Sequence, residues 1–326
     1  MPYSIPPFRV EARFLSLSET IDWSLNLYRV PQAWKQSRGR GVKVAVLDTG
    51  IDADHPDLGD AIEAARDFTA SRGGPIDRNG HGTHVAGTIA ARQNDVGVVG
   101  VAPDCRLIVA KVLGDDGSGS DAAIARGIGW AVESGADILS MSFGSRQPST
   151  AIYRALQQAV DQGRFVICAA GNDGRPNSVN YPARLPMAVA VSAVDRNGQI
   201  SPFSSRGPEV DIAAPGQDIV STWLNGSYAK LSGTSMAAPF VSGVVALTLA
   251  KHRHSGGKTP FRTQTDLLEH LRRTATDAGP GGQDPNYGYG LINPASMLET
   301  AEAPPPPPVE TPGVWVFIPG GRVGKG

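Results

Sequence analysis

Three residue types that together perform nucleophilic serine chemistry occur in this chain beside glycines. Asp48 is followed by a Thr-Gly pair, His81 lies between two glycines, and Ser235 follows a Gly-Thr pair. A nucleophilic serine needs a base that removes its hydroxyl proton and a carboxylate that fixes the tautomer of that base. Each residue alone has a plainer interpretation, as a turn former, a core histidine or a helix cap. Their joint occurrence at glycine-flanked positions predicts a nucleophilic hydrolase.

The elements that must position these residues alternate along the chain. Five segments rich in Val, Ile, Leu and Ala are predicted as strands covered on both faces: 42–47, 107–112, 138–143, 165–170 and 187–194. Five others are predicted as helices: 82–92, 121–133, 149–161, 235–250 and 264–274. The alternation predicts an α/β fold, with a mostly parallel β-sheet sandwiched by α-helices in three layers. In such sheets ligands bind at the carboxyl ends of strands, where the chemistry-bearing residues fall.

Composition narrows the class of protein. Of 326 residues, 40% are hydrophobic, and 30 basic against 31 acidic side chains give a net charge of -1. Such a chain can bury a sizeable core, and its near-neutral balance gives no steering toward nucleic acid or an anionic membrane, so neither is expected as a partner. The 39 glycines and 26 prolines indicate many tight turns or a low-complexity segment. Two cysteines permit at most one disulfide.

The N-terminus lacks the positive start and apolar run of a secretory leader. Taken as complete, the sequence therefore predicts a cytoplasmic protein, and taken as a form without its leader, an extracellular one. No stretch reaches the roughly 20 apolar residues that a membrane span requires.

Longer motifs surround the three candidate residues. They read Val-Leu-Asp-Thr-Gly-Ile-Asp at 46–52, His-Gly-Thr-His-Val-Ala-Gly-Thr at 81–88 and Gly-Thr-Ser-Met-Ala-Ala-Pro at 233–239. Two further blocks agree, Gly-Val-Ala-Pro at 100–103 and Tyr-Gly-Tyr-Gly-Leu-Ile-Asn at 287–293. The chain order Asp, His, Ser is that of subtilisin among triad hydrolases. Over about residues 31–299 the chain therefore resembles the subtilisin-like serine proteases, the subtilases.

The resemblance implies a role for each residue of the site. Asp48 would orient His81, His81 would act as general base and then as general acid, and Ser235 would form the acyl-enzyme. Asn172, which ends an Ala-Ala-Gly-Asn block, would stabilise the oxyanion together with the Ser235 N–H. His84 is expected to be a buried structural histidine. The implied function is a serine endopeptidase; the alternatives are a peptidyl transferase or macrocyclase, and a catalytically silent binding protein.

The resemblance also implies where polypeptide substrates bind. In subtilases the substrate backbone pairs as a strand with two enzyme segments. Leu113, Ile124 and Phe143 would line apolar subsites, although each could equally be a core residue. Asp173, directly after Asn172, is predicted to lie at the rim of the primary pocket and to tolerate a basic side chain. The expected substrate-binding residues are Gly117, Ser118, Gly119, Leu113, Ser142, Phe143, Gly144 and Asp173.

A structural calcium ion is a further implication of the resemblance. Many subtilases bind calcium through an Asp after the first motif and through the loop before the Gly-Val-Ala-Pro block. Asp57 and Asn94 match these positions, and the carbonyl groups of Val96 and Val98 would add ligands. These atoms supply about half of the six to eight oxygens that calcium takes. No organic cofactor is expected.

The sequence is predicted to divide into three parts: an N-terminal extension (1–30), a catalytic domain (31–300), and a Pro-rich linker with a short tail (301–326). Residues 2–8, Pro-Tyr-Ser-Ile-Pro-Pro-Phe, loosely resemble the Pro-aromatic extension with which intracellular subtilisins cover their cleft. The N-terminal segment is therefore a candidate inhibitor of its own chain, and the alternative is a disordered tail. The five consecutive prolines at 304–308 predict an extended spacer.

Overall fold

A parallel β-sheet is the centre of the computed structural model, which describes residues 2–254 and 259–299. The strands in chain order are β1 (Tyr3–Ser4), β2 (Arg9–Phe14), β3 (Lys43–Asp48), β4 (Ile62–Asp67), β5 (Arg106–Lys111), β6 (Ser118–Gly119), β7 (Ile138–Met141), β8 (Phe165–Ala169), β9 (Val189–Val194), β10 (Ile212–Pro215), β11 (Ile219–Thr222) and β12 (Tyr228–Ser232). Seven of them form one sheet in the order β10-β9-β8-β7-β3-β5-β4, and all its neighbouring pairs are parallel. The five strands predicted from the sequence are all in this sheet.

Helices cover both faces of the sheet. In chain order they are α1 (Trp23–Leu27), α2 (Val30–Ala33), α3 (His81–Ala90), α4 (Asp121–Glu133), α5 (Thr150–Asp161), α6 (Thr234–His254), α7 (Gln264–Thr274) and α8 (Pro294–Leu298). Alternate residues of β3 enter different cores: Val44 and Val46 pack with α3 and α6, whereas Ala45 and Leu47 pack with α4 and α5. Because successive strand side chains point to opposite faces, a continuous apolar run fits this two-sided burial. The predicted three-layer α/β/α fold is confirmed.

Helix α6 is the central helix of one layer. It has 21 residues and is long and apolar enough to cross a membrane by length and composition, but 94% of its apolar window is buried inside the protein. It packs against α3 and against β7, β8, β9 and β10. The segment therefore serves as the core helix, and its first turn lies at the carboxyl edge of the sheet.

Two small antiparallel sheets attach the start of the chain to the rest. Strand β2 pairs with β12, which pairs with β11, and β1 pairs with β6. The described part of the N-terminal extension is thus built into the fold through β1, β2 and α1. The Pro-rich spacer and the tail lie outside the described residues.

Both cysteines are interior residues of the core. Cys105 and Cys168 are buried and free. Burial raises the pKa of both thiols, so the neutral, unreactive form is favoured.

Candidate active site

The acid and the base of the site lie at the ends of two adjoining elements. Asp48 ends β3, and His81 is the first residue of α3. The His81 Nδ1 atom lies 2.8 Å from Asp48 Oδ1, and both side chains are fully buried. The same carboxylate oxygen accepts the Thr49 backbone N–H at 2.8 Å. A histidine held at Nδ1 by a carboxylate keeps Nε2 as its basic atom.

A second carboxylate, Asp77, holds the start of α3, and the sequence analysis missed it. One oxygen of Asp77 accepts the Gly80 N–H at 2.9 Å and the Thr49 hydroxyl at 2.9 Å; the other accepts the N–H and the hydroxyl of Thr83 at 2.9 and 2.7 Å. An acceptor for the unpaired amides at a helix start stabilises that end. Asp77 therefore ties the helix that carries His81 to the residue that follows Asp48.

Gly80 shapes the entry to this helix. Its φ of 99° is left-handed, and a Cβ there would lie 2.4 Å from the Trp223 ring. Only glycine meets both conditions without strain. The backbone conformation and the packing at the start of α3 therefore require glycine at position 80.

The candidate nucleophile makes a different set of contacts. Ser235 is the second residue of α6, and its hydroxyl donates to the Ser142 carbonyl oxygen at 3.1 Å. The Ser142 hydroxyl in turn donates to the Ser235 carbonyl oxygen at 3.1 Å. The His81 Nε2 atom is buried and makes no hydrogen bond to any described residue. The Ser235 hydroxyl is therefore directed toward Ser142 rather than toward His81 in this structure.

Asn172 points its amide nitrogen into the cleft. Its oxygen accepts the N–H and the hydroxyl of Thr234 at 3.0 and 2.8 Å, and the Thr234 hydroxyl accepts the Gly171 N–H at 3.1 Å. Because the oxygen is engaged twice, the nitrogen faces away from α6. It donates to the Pro7 carbonyl oxygen at 2.9 Å.

The N-terminal segment, residues 2–8, lies along the two segments expected to bind substrate. Strand β1 pairs antiparallel with β6, and Ser4 exchanges hydrogen bonds of 3.0 and 2.8 Å with Gly144. The Ile5 N–H donates to the Gly117 carbonyl oxygen at 3.0 Å. At its far end, the Phe8 ring lies 5.2 Å from the His81 ring, centroid to centroid. The chain's own residues thus occupy the cleft as an added strand.

Apolar residues hold the first part of this segment. Tyr3 is 2% exposed and packs edge-to-face on Phe143 with ring centroids 6.1 Å apart. Leu113, Ile124 and Phe143 are fully buried in the same hydrophobic cluster as Tyr3. The expected apolar subsites therefore contact an aromatic side chain of the N-terminal segment.

Asp173 is paired with arginines. Its carboxylate lies 2.8 Å from Arg146 Nη2 and 3.7 Å from Arg175 Nη2. Its backbone N–H donates to the Ser205 hydroxyl at 3.1 Å. These partners lie 27 residues before Asp173 and two residues after it in the chain, and the prediction of a basic preference took neither into account.

The residues expected to bind calcium lie close together, because the loop after α3 packs against Asp57. Asp57 is fully buried, and its carboxylate lies 2.9 Å from the Val98 N–H and 3.3 Å from the Asn94 side-chain nitrogen. Burial raises the pKa of Asp57. The Asn94 oxygen accepts the Val96 N–H at 3.3 Å. Glu19, which the sequence analysis missed, reaches the same loop and accepts the Asp95 N–H at 2.9 Å.

This donor set consists of carboxylate, amide and carbonyl oxygens, the ligands that calcium prefers. Among residues 2–254 and 259–299, no group of three or more His, Cys, Asp or Glu side chains could hold a metal. A cation in this loop would therefore depend on backbone carbonyl groups as well as on Asp57.

His84 is a structural residue, as expected. It is fully buried, and its Nε2 atom lies 3.2 Å from the carbonyl oxygens of both Ile219 and Ala229. Burial lowers its pKa to about 3, so the ring is neutral at ordinary pH.

A buried Asp–His pair and a serine at a helix start, gathered at the carboxyl edge of a parallel sheet, define an α/β serine hydrolase. The profile described as the subtilase family matches residues 39–290, and the chain belongs to this family. The predicted family is thus confirmed.

Individual relatives agree with this assignment. An intracellular serine protease of Paenibacillus polymyxa is 46% identical over 298 residues, which cover 88% of this chain and 89% of the relative. A thermostable alkaline protease of Halalkalibacterium halodurans is 44% identical over 86% of this chain and 74% of its own. Subtilisin Savinase of Lederbergia lenta is 42% identical over 85% and 98%, respectively. The chain is a subtilisin-like serine endopeptidase, as predicted.

Proposed function

We propose that Ser235 is the nucleophile of this endopeptidase, His81 its general base and Asp48 the residue that orients His81. The observation that carries the proposal is the fully buried 2.8 Å hydrogen bond between His81 Nδ1 and Asp48 Oδ1. With Nδ1 engaged, Nε2 accepts the Ser235 hydroxyl proton as the hydroxyl oxygen bonds to the substrate carbonyl carbon. His81 then passes that proton to the leaving amine, and water releases the acyl group by the reverse sequence.

Asn172 and the Ser235 backbone N–H form the proposed oxyanion hole. The Asn172 nitrogen already donates to a carbonyl oxygen in the cleft, that of Pro7, at 2.9 Å. The Ser235 N–H lies in the first turn of α6, where amides lack helical partners and the helix dipole favours an anion. Fixed neutral donors stabilise the charge that develops on the substrate oxygen without reorganising.

Polypeptides in extended form are the proposed substrates. The N-terminal segment pairs with Gly117, Ser118, Gly119 and Gly144 as an added strand. A substrate that replaces it would make the same main-chain hydrogen bonds and place its side chains against Leu113 and Phe143.

The N-terminal segment is the proposed intramolecular inhibitor. It occupies the strand-pairing positions, places the Pro7 carbonyl oxygen on the Asn172 donor and lays Phe8 against His81. In the same structure the Ser235 hydroxyl is directed to Ser142. Substrate would bind only when this segment leaves, so residues 1–30 regulate a catalytic domain that begins near residue 31.

A serine-directed fluorophosphonate tests the catalytic proposal. The full chain should be labelled and should cleave casein, whereas Ser235→Ala should do neither. Labelling without hydrolysis would favour acyl transfer to an amine, and the absence of labelling in both the wild type and Tyr3→Ala would favour a silent binding protein.

Loosening the N-terminal segment tests its inhibitory role. Tyr3→Ala removes an aromatic side chain that is 2% exposed and should raise the rate of labelling at least tenfold, because burial of such a side chain contributes about 2–3 kcal/mol. Tyr153→Ala is the matched control, since that tyrosine is 42% exposed on α5. Equal labelling rates for both variants and the wild type would contradict inhibition.

Calcium is proposed as a structural ion held by Asp57, Asn94 and the carbonyl groups of Val96 and Val98, with Glu19 at the rim. When bound, it would supply charge that holds the loop to the body of the protein. At 100 times its dissociation constant a ligand stabilises the folded state by about 2.7 kcal/mol, so calcium should raise Tm by several degrees relative to EDTA. Asp57→Asn should abolish that rise, and the exposed control Asp60→Asn should keep it. An unchanged Tm in the wild type would contradict the site.

A further inference from the structure

A cavity of about 470 Å³ lies beside the end of the N-terminal segment. Its lining includes Pro6 and Pro7 of the N-terminal segment together with Arg146, Asn172 and Asp173. Because Asn172 also donates to the Pro7 carbonyl oxygen, the cavity adjoins the place where a substrate carbonyl would be attacked. It is the space available to the side chain on the acyl side of the cleaved bond.

Asp173 is not the only charged side chain at this cavity, because arginines pair with it. Arg146 Nη2 lies 2.8 Å from the Asp173 carboxylate, and Arg175 Nη2 lies 3.7 Å from it. A second cavity of about 350 Å³ shares Arg146 and Asp173 and adds Arg175 and Arg184. Arg184 is itself paired with Glu209 at 2.9 Å. One carboxylate therefore faces two guanidinium groups, so the net charge of these three side chains is positive.

We propose that Arg146 determines the charge preference of this pocket. By pairing with Asp173 it cancels the one negative charge that would attract a lysine or arginine side chain, and with Arg175 it leaves a net positive rim. The pocket therefore accepts Glu or Asp in preference to Lys or Arg on the acyl side of the cleaved bond. This inference rests on the proposed function, because it assumes that the bond next to the pocket is the one cleaved.

The exposed fractions of the two side chains indicate what removal of Arg146 would change. The Arg146 side chain is 65% exposed, whereas that of Asp173 is 23% exposed. Exposed ion pairs contribute little to stability because water and salt screen them, so removal of Arg146 should leave the fold intact. A substrate side chain placed beside this ion pair experiences the charges of both groups at short range. We expect the loss of one unit charge to change selectivity about tenfold, equivalent to about 1.4 kcal/mol.

The test uses the full chain and three peptides that differ only in the acyl-side residue, Glu, Gln or Lys. The measured quantity is the ratio of kcat/KM for Glu over Lys. This ratio does not depend on how much enzyme has its N-terminal segment displaced, because that fraction cancels between two substrates. The wild type should have a ratio above one. Arg146→Ala should move the ratio about tenfold toward Lys, and Asp173→Asn should move it toward Glu.

Arg38→Ala is the matched control. Arg38 also pairs with an aspartate, Asp104, at 3.3 Å, but this pair does not line the cavity. Its removal should leave the ratio unchanged, and 1 M salt should shrink the difference between the wild type and Arg146→Ala. If the Gln peptide is cleaved but the Glu-over-Lys ratio is the same in the wild type and Arg146→Ala, the inference is overturned and the proposed function stands. Failure of the wild type to cleave any peptide or to react with fluorophosphonate would overturn the proposed function and the inference with it.

Discussion

The acid–base half of the site and its nucleophile half differ in how completely they are assembled. Asp48 and His81 are joined by a buried hydrogen bond, and Asp77 holds the start of the helix that carries His81. Ser235 lies at an equally buried position, but its hydroxyl donates to the Ser142 carbonyl oxygen instead of to His81. The acid–base half is therefore joined by a hydrogen bond, whereas His81 Nε2 has no hydrogen-bond partner among the described residues.

The two halves also differ in how the N-terminal segment contacts them. The acid–base geometry depends on the end of β3, the start of α3 and Asp77 in the loop before α3, and none of these hydrogen bonds involves the N-terminal segment. The His81 ring is in contact with the Phe8 ring, and the Asn172 amide nitrogen is engaged by the Pro7 carbonyl oxygen. The acid–base pair is thus formed by residues of the fold alone, whereas the residues next to Ser235 are in contact with the occupant of the cleft.

The largest expected effect concerns whether the two halves act as one unit. Ser235→Ala and His81→Ala should each lower kcat by about 10⁶-fold, the magnitude known for subtilisin, a relative of this chain, and the double variant should be no worse. Ser242→Ala, further along α6, is the control and should keep its kcat. Single-substrate kinetics on a peptide measure the wild type and the four variants. Multiplicative losses in the double variant would mean that the two halves contribute independently.

The next effect concerns Asn172, the proposed side-chain donor of the oxyanion hole. Asn172→Asp keeps the shape and the oxygen that accepts from Thr234, but it replaces the N–H donor with an acceptor. We expect kcat to fall 10²- to 10³-fold with KM little changed, the magnitude known for the corresponding donor of subtilisin. Asn197→Asp, at an exposed turn, should leave both constants unchanged. A loss that falls mainly on KM would show that Asn172 binds substrate rather than the transition state.

The acid–base half was predictable from sequence because its determinants are local. Asp48 ends an apolar run, and His81 lies in the next glycine-flanked motif, at the start of a predicted helix. Strand and helix patterns therefore place both at the same edge of the sheet. Strand β4, by contrast, was missed because it is an edge strand whose side chains are mostly half-buried or exposed, and its sequence lacks the apolar run of the central strands. Strand β10 was missed because its sequence, Ile-Ala-Ala-Pro, has only one large apolar side chain and ends in a proline, which disfavours a strand prediction.

The contacts across the cleft could not be predicted, because they join residues far apart in the chain. Strand β2 pairs with β12 more than 200 residues later, and nothing in its six residues identifies that partner. Likewise Arg146 and Asp173 meet only because the loops after β7 and β8 lie side by side. The direction of the Ser235 hydroxyl depends on rotation about one bond, which no spacing pattern encodes.

A smaller effect tests what holds the acid–base half in place. Asp77→Asn removes an acceptor from the start of α3 and presents an N–H₂ group to backbone N–H donors. We expect kcat to fall about tenfold while KM changes less, because His81 shifts and substrate pairing does not. We also expect the free energy of unfolding to fall by about 1–2 kcal/mol, as for loss of a helix cap, which lowers Tm. Asp195→Asn is the control, since Asp195 accepts two backbone N–H groups in a turn away from the site. A lower Tm with an unchanged kcat would limit Asp77 to a structural role.

The smallest effect sharpens the nucleophile half of the comparison. Phe8→Ala removes the ring that lies 5.2 Å from the His81 ring but keeps β1 and its main-chain hydrogen bonds. Because one aromatic contact contributes about 1 kcal/mol, fluorophosphonate labelling of Ser235 should become about fivefold faster. Phe8→Leu should restore part of the wild-type rate, and Leu15→Ala, at a side chain that is 91% exposed, should have no effect. If Phe8→Ala and the wild type are labelled equally fast, Phe8 does not control the approach to Ser235, and the main-chain pairing of β1 would account for the covered cleft alone.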